Sequence, residues 1–571
     1  MRTAFVVSVI VLTLALAAAA QQAATVPAAP SAGPAAAEVK PESLCSIEGK
    51  IVNANTGEAV PKAMVTMRLA TPSRTNMGPP PAFTTTSGAD GRFAMKDIEP
   101  GSYRLTVTRN GFVMAEYGSR GPMRAGTTLK LEPAQKMTAV DFKLTPHGVI
   151  AGRIVDEDGE PLAHVQVAPM RYMFRQGRRQ LSPVGGASTD DRGDFRIFGI
   201  APGRYFISAN YTPRMFYDST QDRSAAGPSD ESYLPTYFPG STDPAAASAF
   251  DVGPGQQISG IEMRLSKAKS ARLRGRVVNM TGVRAQAIMV NISLREPAGY
   301  YFGNRSIAQG PENRFEFRGL APGAYMVSAV VPDGQTMHSV RQPVDIGSEH
   351  IDNFVLTVNP GAQMSGVLSV EGAAAASFDY KAARIYLAPA AVEGMGFGYP
   401  FNDGVKDDGS FLLKNVNADK YYVRVSGLAD GLYVKSIRVG DQPAVDDVVD
   451  LTSGAAATLH VTLAEGAAQV DGSVRNDKQE PISGATVVLM PEKESRRTRF
   501  EYVKTATTDQ HGRFTLKNVD PGDYRLYAWE DIENGAWMDP DIIKPVESKS
   551  KKLTLRERGK ETADLRVIRN E

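Results

Sequence analysis

At 571 residues the chain is about four times a typical domain length, which excludes one uninterrupted core and predicts several modules. Gly (53) and Pro (37) favour many turns, and 42% hydrophobic with 22% charged residues fits neither a membrane bundle nor an acidic, solvated chain. Sixty-four Lys and Arg against 63 Asp and Glu leave no global field to draw in a phosphate backbone or anionic lipid, and a single cysteine, Cys45, rules out an intramolecular disulfide and a cysteine-based zinc site.

Residues 1–20 carry Arg2, an apolar run from Phe5 to Leu16 and Ala18-Ala19-Ala20 before Gln21, the pattern of a secretory signal peptide cut after Ala20. The rival reading, a membrane anchor, asks more length of the apolar run than it has. Residues 21–42, rich in Ala and Pro, read as a linker. Cys45 lies too far from the apolar run to be a lipid-bearing N-terminus and is expected as a half-buried thiol. The mature chain is therefore expected to be exported, to the periplasm, cell surface or medium, and not to be integral to a membrane.

Beyond residue 42 one pattern recurs five times. Each copy opens on a short alternating run around a glycine: Gly49, Gly152, Gly275, Gly366 and Gly472. Each then places a Phe and a Tyr ten residues apart: Phe93 and Tyr103, Phe195 and Tyr205, Phe315 and Tyr325, Phe411 and Tyr421, Phe514 and Tyr524. Pro-Gly turns precede the Tyr in copies one, two, three and five, where Pro presets φ and Gly takes the positive φ that follows. Copy four has Ala418 and Asp419 there, so a different turn is expected. Alternating runs follow each Tyr and close each copy, as in "VDFKL", "IEMRL" and "DLRVI". No run of amphipathic helix exceeds three turns.

These signals predict an all-β chain of five tandem seven-stranded antiparallel β-sandwiches in an elongated string, spanning 43–146, 147–267 (with an aromatic-rich insert), 268–359, 360–465 and 466–571. The combined pattern, G-x-[IV]-V, G-E-P-L-x-x-V-x-V, T-D-x-x-G-x-F and P-G-x-Y, resembles the carboxypeptidase regulatory-like family. It is carried best by Gly152, Pro161, Asp190, Gly193, Phe195, Pro202, Gly203 and Tyr205 and by Gly472, Pro481, Asp509, Gly512, Phe514, Pro521, Gly522 and Tyr524, with copy one nearly as good. The resemblance implies a transthyretin-like, Ig-like sandwich of the carbohydrate-binding-like group, and it is similar to the B-type repeats of bacterial surface adhesins. Those repeats can form Lys–Asn crosslinks, but Lys50, Arg153, Arg276, Val367 and Ser473 follow the opening glycines, so no equivalent lysine recurs and none is expected.

Signatures of chemistry do not accompany the fold signals. None of His147, His164, His338, His350, His460 and His511 has a Glu three residues later, and there is no G-x-S-x-G elbow, P-loop or dinucleotide fingerprint. Carboxylates such as Asp156-Glu157-Asp158 and Asp403, Asp407 and Asp408 sit beside Gly, where turn chemistry explains them and weak calcium binding is the alternative. No catalytic residue, metal or cofactor is expected.

The repeated Phe and Tyr read as core plugs and corner tyrosines, with sugar-stacking platforms as the alternative. Aromatic residues outside the repeat are the binding candidates: Tyr211, Phe216, Tyr217, Tyr233, Tyr237 and Phe238 in the copy-two insert, and Trp529 and Trp537 in copy five. Either they present flat faces to a ligand or they pack on their own sandwich. Lys549, Lys551, Lys552, Arg556, Arg558 and Lys560 read as charges blunting a sheet edge. The expected function is an exported, non-catalytic, monomeric protein binding carbohydrate or another surface ligand. The alternatives are a structural spacer or protein-interaction scaffold of the envelope and, well behind, a hydrolase built from loop carboxylates.

Overall fold

The computed structural model describes residues 41–70, 82–122, 124–175, 177–211, 231–285, 287–295, 304–334, 336–390, 404–497 and 499–569. The signal reading, the linker reading up to residue 40, Phe216, Tyr217 and Asp403 fall outside them. The described chain is all-β; its helical segments are short, from three residues to the six of Lys544–Lys549, which continues Pro540–Ile543. Among the described residues no helix is long and apolar enough to cross a membrane.

Every copy uses the same strand logic. The opening strand pairs antiparallel with the Phe strand and parallel with a closing strand. In copy one Cys45–Asn53 lies between Arg92–Ile98 and Phe142–Leu144, and in copy five Ala468–Arg475 lies between Arg513–Val519 and Lys560–Arg566. The sandwiches are thus mixed, correcting the wholly antiparallel expectation: first and last strands run the same way and need a long crossover to lie side by side. The facing sheet is built on an antiparallel pair containing the Tyr strand, as in Thr486–Pro491 with Gly522–Trp529. Copies three and five have a three-stranded and a four-stranded sheet, whereas copies one, two and four have extra short strands, so a uniform seven does not hold.

The opening glycines have one physical cause. In register, Gly49, Gly152, Gly275, Gly366 and Gly472 face Phe93, Phe195, Phe315, Phe411 and Phe514. A Cβ on Gly366 would sit 2.1 Å from Phe411 Cζ, and one on Gly472 1.9 Å from the Ala563 carbonyl oxygen, so only Gly lets the ring and the parallel strand close over the backbone. Two residues before each glycine all five ladders slip by a bulge. It is accommodated by a left-handed residue on the Phe strand: Asp97, Gly199, Gly319, Asn415 or Asn518.

Each Tyr is a corner residue whose hydroxyl donates to the carbonyl four residues earlier: Tyr103 to Glu99, Tyr205 to Ala201, Tyr325 to Ala321, Tyr421 to Asn417 and Tyr524 to Asp520, at 2.6–3.1 Å. Copy four makes the same corner without Pro-Gly. Gly203 and Gly522 lie at φ +153, but Gly101 and Gly323 are outside the positive-φ region, and so is Asp419. The turn therefore tolerates a residue with a Cβ, and the expected change of corner does not occur.

Five large core clusters each draw on one stretch of chain: Cys45 to Leu144, Ile150 to Leu265, Ala271 to Val358, Met364 to Leu463 and Ala468 to Leu565. Cys45 is buried within the first, its thiol 3.0 Å from the Glu132 carbonyl oxygen, rather than half-buried. Copy five contacts copies one, two and four. Lys130 and Gln510 exchange two bonds, of 3.0 and 2.7 Å, Thr128 bridges to Asp509, and Arg124 pairs with Asp531 at 3.2 Å. The elongated string is therefore corrected: the chain returns on itself through polar side chains in copies one and five that hydrophobic patterning does not register.

Candidate functional site

The outward face of the copy-two sheet departs most from the shared plan. Val165–Arg175 pairs with Arg178–Pro183 on one side and Gly203–Tyr211 on the other. Its inward residues Val165 and Val167 join the copy-two core, and its outward Ala168 and Met170 join Leu181 in a second apolar cluster, against which Tyr172, Phe206 and Tyr237 pack half-buried. Tyr172 and Phe206 meet edge to face, with centroids 5.5 Å apart, and the Arg179 guanidinium lies 4.5 Å from the Tyr172 ring centroid. Sequence reasoning passed over this pair; the signal was a long strand, "VQVAPMRYM", apolar on both faces.

The insert aromatics are placed around the copy-two core. Tyr211 and Tyr233 meet edge to face at 5.3 Å, and Lys267 Nζ lies 5.4 Å from the Tyr233 ring while pairing with Glu157. Phe238 packs on the core against Phe250, at 6.2 Å. Burial pushes the Tyr233 and Tyr237 hydroxyls above the ordinary tyrosine range. These four described rings remain half-exposed, each with one side committed to its own sandwich.

Trp529 and Trp537 do not offer stacking faces, which corrects their choice as ligand contacts. They are 1% and 6% exposed in a cluster with Val488, Met490, Tyr527 and Met538. The physical reason is that residues 530–550 fold back over the outer face of the copy-five sheet, so Thr486–Pro491 is buried on both sides. Lys551–Leu555 is the edge strand of that sheet, with Lys551 and Lys552 exposed, in keeping with the edge-charge reading.

The carboxylates near copy four serve turns and pairs: Asp408 accepts from the Ser410 amide at 2.9 Å, and Asp407 lies 3.1 Å from Lys381. A more buried charge cluster, not singled out in the sequence, joins copies four and five. Asp447 accepts two 2.7 Å bonds from Arg496 and one of 3.3 Å from Arg499. Arg499, 4% exposed, also reaches Glu501 and lies 4.0 and 4.6 Å from the Tyr422 and Tyr502 rings. Burial raises the Asp447 carboxyl, but hydrogen bonding and charge from Arg496 and Arg499 outweigh it and hold it below the ordinary range. All its charges are answered within the cluster, which makes it a joint rather than a ligand site.

Residues 46–145 and 469–531 match the carboxypeptidase regulatory-like domain. The match falls on copy one and on the first part of copy five, whereas the motifs read best in copies two and five. No curated protein matches the chain. Among solved structures it is similar to the Bacillus anthracis TIE protein, at 14% identity over 56% of this chain and 50% of that one, TM-score 0.16. It is similar also to GBS52, the minor pilin of Streptococcus agalactiae, at 12% identity over 39% and 96%, TM-score 0.22. BcpA, the major pilin subunit of Bacillus cereus, matches at 11% identity over 74% and 99%, TM-score 0.15. The chain thus spans half the length of the Bacillus anthracis protein.

Proposed function

We propose that this chain is an exported, non-catalytic protein of five β-sandwich modules, bounded at 43–146, 147–267, 268–359, 360–465 and 466–571, which presents a ligand-binding face at the cell surface. One observation carries the reading: the residues repeated in every copy are all used to build the fold. The glycine lies opposite the Phe in the ladder, and the Tyr hydroxyl closes the corner, in each of the five. What differs between copies is therefore where recognition resides, and copy two differs most, with its aromatic outer face and its insert.

Carbohydrate is the ligand class that half-exposed Tyr and Phe rings suit, because their flat apolar faces match the C–H faces of sugar rings. A pure spacer is disfavoured by the contacts of copy five with copies one and two, since a spacer gains reach from staying open. Two measurements test the reading. Purified mature chain on a glycan array should retain saccharides, and a null at high concentration removes the carbohydrate part. A membrane-impermeant label applied to intact cells should reach the chain; labelling only after lysis overturns the surface assignment.

A further inference from the structure

A cleft of about 360 Å³ lies where copy two meets copy five, lined by Arg171, Tyr172, Arg179, Arg204, Phe206 and Glu533. We propose that it binds a carboxylate-bearing sugar ring, a uronate unit of an acidic polysaccharide. The inference rests on the surface-binding reading above and supplies its substrate class. None of the six residues belongs to the repeated landmarks or to the aromatic residues of the insert.

The cleft is built by two backbones that only glycine lets approach. Gly177 lies at φ +72, and a Cβ there would sit 2.4 Å from the Met538 carbonyl oxygen. Gly535, at φ +83, would place its Cβ 3.1 Å from the Phe174 carbonyl oxygen. The hairpin end at residue 177 is thus seated on residues 535–538, and Arg171 reaches Glu533 at 3.4 Å across the seam. Three guanidinium groups against one carboxylate leave the lining positive, in a chain whose overall charge is only +1. Arg179 lies on Tyr172, and Arg204, exposed beside Phe206 on the same side of its strand, has no carboxylate within 4.0 Å among the described residues.

Each part of the lining selects. A planar carboxylate matches the guanidinium fork, whereas a neutral sugar leaves two exposed arginines unanswered. A small inorganic anion would leave the Tyr172 and Phe206 rings unused. An acidic peptide would answer the guanidinium groups without offering one rigid apolar face to both rings, and it is the competing outcome of the test. A uronate ring presents a rigid apolar face and a carboxylate together, and the volume suits one or two such units, at the lower end of the roughly 300–1,000 Å³ of ligand pockets.

The test uses the full mature chain and calorimetric titration with trigalacturonate, with maltotriose and a Glu-rich peptide in parallel. Trigalacturonate should bind and weaken as salt is raised, and maltotriose should bind at least tenfold more weakly. Arg179→Gln with Arg204→Gln, both exposed positions, should weaken trigalacturonate at least tenfold without lowering the melting temperature. Arg204→Lys should fall in between, since it keeps charge and loses the fork. Equal binding of maltotriose, tighter binding of the peptide, or an unaffected double variant overturns the proposal. Failure here leaves the cell-labelling result standing, so the two readings fail separately.

Discussion

Replacing Gly472 by alanine would drive a Cβ to 1.9 Å from the Ala563 carbonyl oxygen and 2.7 Å from Phe514 Cζ, and neither neighbour is a flexible side-chain end. Overpacking of this kind costs about 1–3 kcal/mol, and we expect Gly472→Ala to lower the denaturant midpoint accordingly, whereas Gly57→Ala, with nothing near its Cβ, should show only the penalty of its left-handed backbone. Tyr325→Phe removes the hydroxyl that donates to the Ala321 carbonyl at 2.9 Å and should cost about 1 kcal/mol, read by the same titration. Burial pushes the Tyr325 and Tyr421 hydroxyls up to about 12. Since the folded value lies above that of the free phenol, about 10, their contribution is complete below pH 10 and is lost as pH rises towards 12. The phenolate absorbance lost on Tyr325→Phe or Tyr421→Phe, taken as a difference from the unaltered chain, should therefore belong to the late part of the titration, with unfolding; a difference confined to the early part at constant stability would refute the buried corner.

Between elements, the Asp447 cluster is the joint of copies four and five. Asp447→Ala leaves the Arg499 guanidinium buried with Glu501 as its remaining carboxylate, so we expect a loss near the lower end of the about 3–5 kcal/mol seen when a buried pair is broken. The Asp447 carboxyl is held below its ordinary value, so its stabilisation is present above the unfolded pKa, about 3.9, and disappears as pH falls through the lower folded value. Hydrogen exchange at Glu494–Arg497 and its neighbours should stay protected at pH 5 and open under acid. The second apolar layer of copy five predicts blue-shifted tryptophan emission inaccessible to iodide, because residues 530–550 cover both indoles. Trp529→Ala should cost about 3–5 kcal/mol as a large buried side chain is deleted.

At the scale of the molecule, contacts of copy five with copies one, two and four make the chain return on itself. Much of the copy-one seam is polar and partly exposed: Arg124 with Asp531, Arg120 with Glu530, and the Lys130–Gln510 exchange. Exposed pairs of this kind contribute roughly 0–1 kcal/mol each and are screened by salt. We therefore expect small-angle scattering to give a maximum dimension well short of five modules end to end at low salt. Arg120→Ala, Arg124→Ala and Gln510→Ala together should lengthen it. An extended profile for the unaltered chain would overturn the closed arrangement and, with it, the copy-two cleft.

The amino-acid sequence by itself determined the sandwich of each copy, because Gly49 to Tyr103 and its four equivalents are signals read over short distances: alternation, a glycine under a ring, a turn, a corner hydroxyl. It also showed that Tyr211, Tyr233, Tyr237 and Phe238 lie outside that shared plan. The parallel first and last strands, the burial of Trp529 and Trp537, the Asp447 joint and the seating of Gly177 on Met538 were decided only in the tertiary structure. Each joins residues tens to hundreds of positions apart, and a local pattern records which face of a strand is apolar but not which distant segment covers it.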